Sequence, residues 1–194
     1  MKTVLNSILA GLVFFAGCSK PSAEEYFSKA QQNYAQVQRQ ADTLKNRQLL
    51  PGLFKPVLEG YEKVIEAYPT SQIAETSMFI LATIHTNYLQ QPGLAIKAYR
   101  RYLEAFPEGG KAPLAMFMIG YLYNNEMHDL DSAALAYRNF LEKFPNSEMA
   151  ASAKFELGTL GKSPSELVPK EVLAEKESNK QTRKVGKKAS KKAK

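Results

Sequence analysis

The chain has 194 residues, enough for one domain with tails, and a formal net charge of +7. It holds one cysteine, two histidines and no tryptophan, which excludes an intramolecular disulfide and a cysteine-held metal cluster. The charge is local: Lys180, Arg183, Lys184, Lys187, Lys188, Lys191, Lys192 and Lys194 put eight cations and no anion into the last fifteen residues, so +7 less eight leaves a net −1 for everything before them.

Lys2 gives a positive start, and Val4 to Ala16 is apolar apart from Asn6 and Ser7. The run is shorter than the roughly 20 apolar residues a membrane-spanning helix needs, and its layout is that of a secretory leader. It ends in Phe15-Ala16-Gly17-Cys18, which resembles the lipobox of bacterial lipoproteins. In that family the cysteine thiol receives a diacylglycerol group and the leader is cut off before it. The resemblance implies a leader at 1–17, a lipid anchor on Cys18 and an anchored linker at 18–21. Ser19 follows the cysteine where aspartate would resemble an inner-membrane retention signal, so the expected place is the outer membrane, facing the periplasm.

The body, 22–162, reads as helices throughout. Ser22-x-x-Glu25 is a capping box, and Phe27, Ala30, Tyr34, Val37, Ala41 and Leu44 form one apolar stripe, which predicts a first helix over about 22–46. Its glutamines between 31 and 40 read as a solvated outer face, with self-association as the alternative. Leu50-Pro51-Gly52 reads as a break. Further helices are expected at about 55–68, 71–90, 92–106, 110–127, 130–144 and 147–160, with Gly161 as the stop. The tail, 163–194, opens with Ser163-Pro164. Leu167, Val168, Val172 and Leu173 allow a short helix around 165–177, and the final fifteen residues, with almost nothing to bury, are expected to be disordered.

A constant internal offset organises these helices. It relates Tyr68-Pro69, Phe106-Pro107 and Phe144-Pro145. It also relates Tyr61, Tyr99 and Tyr137, then Phe79, Phe117 and Phe155, then Ala82, Gly120 and Gly158. The residue before each proline is pushed out of the α region, so each aromatic-proline pair ends a helix. Ser71, Gly109 and Ser147 stand two residues further on, where an N-cap is wanted.

A small residue mid-way along the first helix of each unit, Ala95 or Ala133 early in the second, Tyr99 or Tyr137 four residues later and a closing proline resemble tetratricopeptide repeats. The units here are slightly longer than that family's usual length of about 34 residues. Tyr68-Pro-x-Ser-x-x-Ala74 and Phe144-Pro-x-Ser-x-x-Ala150 are similar to the BamD family of outer-membrane assembly lipoproteins and to the repeat domain of CpoB division coordinators. The resemblance implies an all-α, tetratricopeptide-type helical solenoid of about three helix pairs plus a capping helix. It also implies a partner-binding groove along the first helices, at Phe79, Thr83, Thr86 and Asn87 and at Phe117, Tyr121, Asn124 and Asn125. Asn87 and Asn125 also suit plain helix-end caps.

Catalytic chemistry is not indicated. His85 matches Tyr123 in the repeat register and His128 falls at a turn, a spacing that fits no helical metal pair. Gly109-Gly110 is a turn and no phosphate loop or strand precedes it. The expected function is that of a non-enzymatic envelope scaffold for other proteins, with no cofactor and no metal. The alternative is a polyanion binder acting through the basic tail on cell-wall polymer or anionic lipid. Nucleic acid is not the expected partner of an exported chain, although such a tail supplies phosphate affinity without sequence preference.

Overall fold

In the computed structural model Ser22 caps α1 (Ala23–Thr43) with a reciprocal pair: Glu25 N donates to Ser22 Oγ at 3.2 Å and Ser22 N to Glu25 Oε2 at 2.8 Å. The structure describes residues 21–162 and Glu166. The leader, Cys18 and the cations from Lys180 to Lys194 therefore lie outside the described residues. Among the residues 21–162 six more α-helices follow: α2 (Leu50–Ala67), α3 (Gln72–Asn87), α4 (Pro92–Ala105), α5 (Ala112–Asn125), α6 (Leu130–Lys143) and α7 (Ala150–Thr159).

α2 corrects the expected break at Leu50-Pro51-Gly52. A short 3-10 helix at Arg47–Leu49, capped by Asn46 Oδ1 on Gln48 N at 3.0 Å, leads straight into it. Pro51 falls in the first turn of α2, where its missing N–H has no helical acceptor to leave empty. Pro56 deprives the Gly52 carbonyl of a donor, but Gly52 is exposed and water can serve it.

Successive helices pack in pairs, α1 on α2, α3 on α4 and α5 on α6, and each pair packs on the next. α1 also touches α3, as stacking of the first helices requires. Together these contacts make an all-α helical solenoid of tetratricopeptide type, with α7 beginning a further unit. Each pair buries one repeated contact, a phenylalanine of the first helix on a tyrosine of the second. Ring centroids are 6.1 Å apart for Phe27–Tyr61, 5.6 Å for Phe79–Tyr99 and 5.5 Å for Phe117–Tyr137. The three tyrosines are buried. Such ring pairs add about 0.5–1.5 kcal/mol each beyond their buried area.

The turns alternate between two designs. At the ends of α2, α4 and α6, Tyr68, Phe106 and Phe144 leave the helical region, with ψ of 58°, 65° and 54°, as the following prolines demand. At the ends of α3 and α5, Gln90 and His128 hold the same place in successive units and take left-handed φ of 51° and 54°. Gly161, at φ 73°, does the same after α7.

Two expectations from the repeat need correction. Ser71 caps α3 by accepting from Ala74 N at 3.1 Å, but Gly109 and Ser147 are not N-caps. Their carbonyls instead close short turns, accepting from Ala112 N and Ala150 N at 2.9 Å, and α5 and α7 start behind Lys111 and Met149. Gly109 is needed for space: a Cβ there would stand 2.5 Å from both Glu75 Oε1 and the Tyr102 hydroxyl. The second correction is Gly158. Ala82 is fully buried and Gly120 lies under Tyr137, but a Cβ at Gly158 would meet nothing within 4 Å, because no described helix covers that side of α7.

Candidate functional site

α3, α5 and α7 occupy equivalent places in successive units, so equal register positions fall on one face. Phe79 and Phe117 are half-buried there. Phe79 packs on Tyr99 and on Tyr102 at 5.8 Å, and Lys111 Nζ stands 5.2 Å above its ring. Phe117 packs on Tyr137 and on Phe140 at 6.0 Å. Both are chiefly core aromatics with one edge towards the groove.

Thr83 and Thr86 are committed to the fold. Their hydroxyls donate to the carbonyls of Phe79 (3.0 Å) and Ala82 (2.9 Å) one turn back. They also bond the Tyr99 phenol, partly offsetting the rise that burial imposes on its pKa. Thr83 is therefore a poor candidate for a partner contact. Asn87 is exposed at the last position of α3.

α5 carries the accessible part of the face. Tyr121 and Leu114 are each 37% exposed, and with Phe117 they stand at i, i+3 and i+7 on one helix side. Asn125 Nδ2 donates to the Tyr121 carbonyl at 3.1 Å, so it does serve the helix end. Asn124 does not: its Nδ2 donates to Glu156 Oε2 of α7 at 3.2 Å. The structure thus brings together Leu114, Phe117, Tyr121, Asn124 and Glu156, with Phe79, Thr83 and Asn87 on the preceding unit. Glu156 and Leu114 were missed in the sequence. Leu114 was findable from its helical spacing to Phe117 and Tyr121. Glu156 was not, because its register partners are the apolar Ile80 and Met118.

Beneath this stretch lies the Tyr137 hydroxyl, buried and without a hydrogen bond among the described residues. Its counterpart Tyr99 is served by Thr83 and Thr86; the equivalent positions here are Tyr121 and Asn124, and Asn124 has turned to Glu156. Burial, then the Glu156 carboxylate, then Tyr121 push the Tyr137 pKa up, so it stays a neutral phenol. The site can therefore hold apolar and amide groups and offers no activated nucleophile.

A second concavity, about 640 Å³, lies on the opposite side between α2, α4 and the end of α5, lined by Glu62, Lys97, Arg101, Tyr123 and His85 among others. Its arginines already have partners. Arg101 Nη1 contacts both Glu62 oxygens at 2.7 and 2.8 Å, and Arg100 Nη2 donates to the Tyr123 hydroxyl at 2.9 Å. His85 Nδ1 lies 3.0 Å from Gln91 Oε1, and His128 Nδ1 lies 3.2 Å from the Asn124 carbonyl. Among the described residues no group of three His, Cys, Asp or Glu side chains could hold a metal ion.

Residues 114–147 match the family model described as tetratricopeptide repeat. That stretch is α5, α6 and the aromatic-proline turn after them, and it includes Leu114, Phe117, Tyr121, Asn124 and Asn125. No curated protein shows significant similarity to the chain.

Proposed function

We propose that this chain is a lipid-tethered envelope scaffold whose α3–α5–α7 face holds an extended segment of a partner protein. The observation that carries the binding reading is the stripe Leu114, Phe117 and Tyr121, ending at Asn124 and Asn125 and bordered by Glu156. Exposed aromatic and aliphatic groups take a partner's side chains, and amides pair with its backbone. The envelope setting rests on the leader and the lipobox-like Ala16-Gly17-Cys18. The likeness to BamD and CpoB repeats points to an outer-membrane assembly or division machine as the setting.

Two measurements test this in intact cells. Wild type should appear in the envelope fraction with a lipid-dependent gel mobility, and Cys18→Ala should become soluble or stay unprocessed. Crosslinking followed by capture should recover a discrete envelope partner from wild type and much less from Tyr121→Ala. Identical fractionation of the cysteine variant removes the tether, and identical capture by the tyrosine variant removes the groove.

The eight tail cations support a second reading, attachment to an anionic surface. Near such a surface each contributes about 1 kcal/mol, within a Debye length of about 8 Å. A lipid-free chain ending at Glu177 should then lose salt-sensitive binding to anionic vesicles or sacculi that the full chain retains. Equal binding by both chains would make the tail a solvated end.

A further inference from the structure

Two units of the solenoid present the same face but close it differently. In the unit of α3 and α4, Thr83 and Thr86 serve the Tyr99 hydroxyl. In the unit of α5 and α6, Tyr121 and Asn124 hold those two positions, and the Tyr137 hydroxyl has no partner among the described residues. The Tyr61 hydroxyl has none either, but that ring stands among others, edge-on to Phe27 and Tyr34. Beside Tyr137 polar groups are at hand and engaged elsewhere: Asn124 Nδ2 donates to Glu156 Oε2 at 3.2 Å.

Glu156 is half-buried, and among the described residues no cation pairs with it; its described partner is the neutral Asn124 amide. Withdrawing a charge from water without a counter-ion costs free energy. The rest of the face does not supply one. α5 has no charged residue from Ala112 to Asn125. Lys154 holds the register of Met116, which lines the cleft between α4 and α6. Lys111 stands over the Phe79 ring, roughly 20 Å from Asn124 at about 1.5 Å per helical residue.

We propose that the occupant of this face is a basic and apolar segment of a partner protein, which sets a lysine or arginine against Glu156 and an apolar side chain against Tyr121 and Leu114. This rests on the groove reading above and names the chemistry of its ligand. A cation on the Glu156 carboxylate supplies the missing counter-charge through a charge-assisted hydrogen bond. It also competes for the oxygen that Asn124 now holds. Asn124 stands at the register from which Thr86 serves Tyr99, so its freed amide can turn to the Tyr137 hydroxyl. The bond given up at Glu156 is then regained beneath it. Leu114 to Asn124 is about 15 Å along α5, which about five extended residues span. The basic and the apolar side chain of the partner should lie within that distance.

The test selects a library of random short peptides on the lipid-free full chain and takes binders lost with Tyr121→Ala as groove ligands. These should carry lysine or arginine within about five residues of a large apolar side chain. Glu156→Gln keeps an oxygen for Asn124 and removes the charge. Helicity should be unchanged, and the selected peptides should bind about tenfold more weakly. Glu156→Lys should turn the selection towards acidic peptides. Groove ligands that are uncharged or acidic on the wild type overturn the proposal and leave the groove reading standing. So do basic ligands that Glu156→Gln binds equally well. Finding no Tyr121-dependent binder overturns the groove reading and the proposal with it. Basic peptides that bind only a chain ending at Glu177 also overturn the proposal, because the chain's own cations would then be the occupant.

Discussion

The backbone of Gly120 lies against the ring of Tyr137 so closely that a Cβ would stand 2.7 Å from Cε1 and 2.8 Å from Cδ1. Tyr137 is fully buried and packed by Phe117, so the ring has little room to give. Gly120→Ala should therefore lower stability by about 1–3 kcal/mol, although alanine is the better helix former by about 1 kcal/mol. Gly158→Ala meets no atom and should raise stability by about 0.5–1 kcal/mol. Urea melts of the two variants check this; changes of the same sign would show that the contact does not decide the outcome.

Tyrosine-to-phenylalanine exchanges should separate two hydroxyls that look alike in the sequence. Tyr102 donates to Glu75 Oε1 at 2.7 Å and accepts from Lys111 N at 3.2 Å, fastening the turn before α5. Tyr102→Phe leaves both partners short and should cost about 1–3 kcal/mol. Tyr137→Phe removes a buried hydroxyl without a described partner and should cost nothing, with a gain of up to about 1 kcal/mol. Thermal melts that rank the two in the opposite order would refute the assignment.

The repeat made the helices, the aromatic-proline turns and the small residue at Gly120 legible, because these recur and recurrence is visible in one chain. What the repeat could not show is what happens once. The Glu75–Tyr102–Gly109 cluster joins residues of three elements without recurring, so Gly109 looked like one more cap. Asn124 meets Glu156 only because α5 and α7 stack. Thr83 looked accessible by register, yet its hydroxyl bonds its own helix and Tyr99. At the start of α2 the local rule misled: a Leu-Pro-Gly run reads as a break, but proline in a first turn is no break at all.

Alkaline pH should unfold the solenoid through its core phenols. Tyr34 is pushed up from the usual value near 10 to about 12, by burial first and then by Tyr88. Burial likewise raises Tyr61, Tyr99, Tyr102 and Tyr137. The folded state holds these protons more tightly than the unfolded chain. Stability is therefore fully present below pH 10 and is lost as pH rises from 10 through about 12. Helical circular dichroism should fall together with the appearance of tyrosinate absorbance from these five side chains. If all ten tyrosines ionise near pH 10 with helicity intact, burial does not protect them.

The groove prediction depends on choosing residues whose loss the fold tolerates. Phe79 and Phe117 do not qualify, since truncating a packed phenylalanine costs about 3–5 kcal/mol and any lost binding would be lost folding. Tyr121 and Leu114 are more than a third exposed, and truncation there should change stability by about 0.5 kcal/mol or less. Among the described residues the Asn125 side chain bonds the Tyr121 backbone carbonyl, which Tyr121→Ala retains. If the α5 stripe contacts a partner, Tyr121→Ala and Leu114→Ala should each weaken binding by at least about 1 kcal/mol, roughly fivefold in Kd. Leu135→Ala is the control: it is 58% exposed but lies on α6, in a smaller cleft that shares Arg100 and Tyr123 with the second concavity. Loss of affinity in the first two with the control unchanged places the partner on the α3–α5–α7 face, and the reverse pattern moves it to the other side of the solenoid.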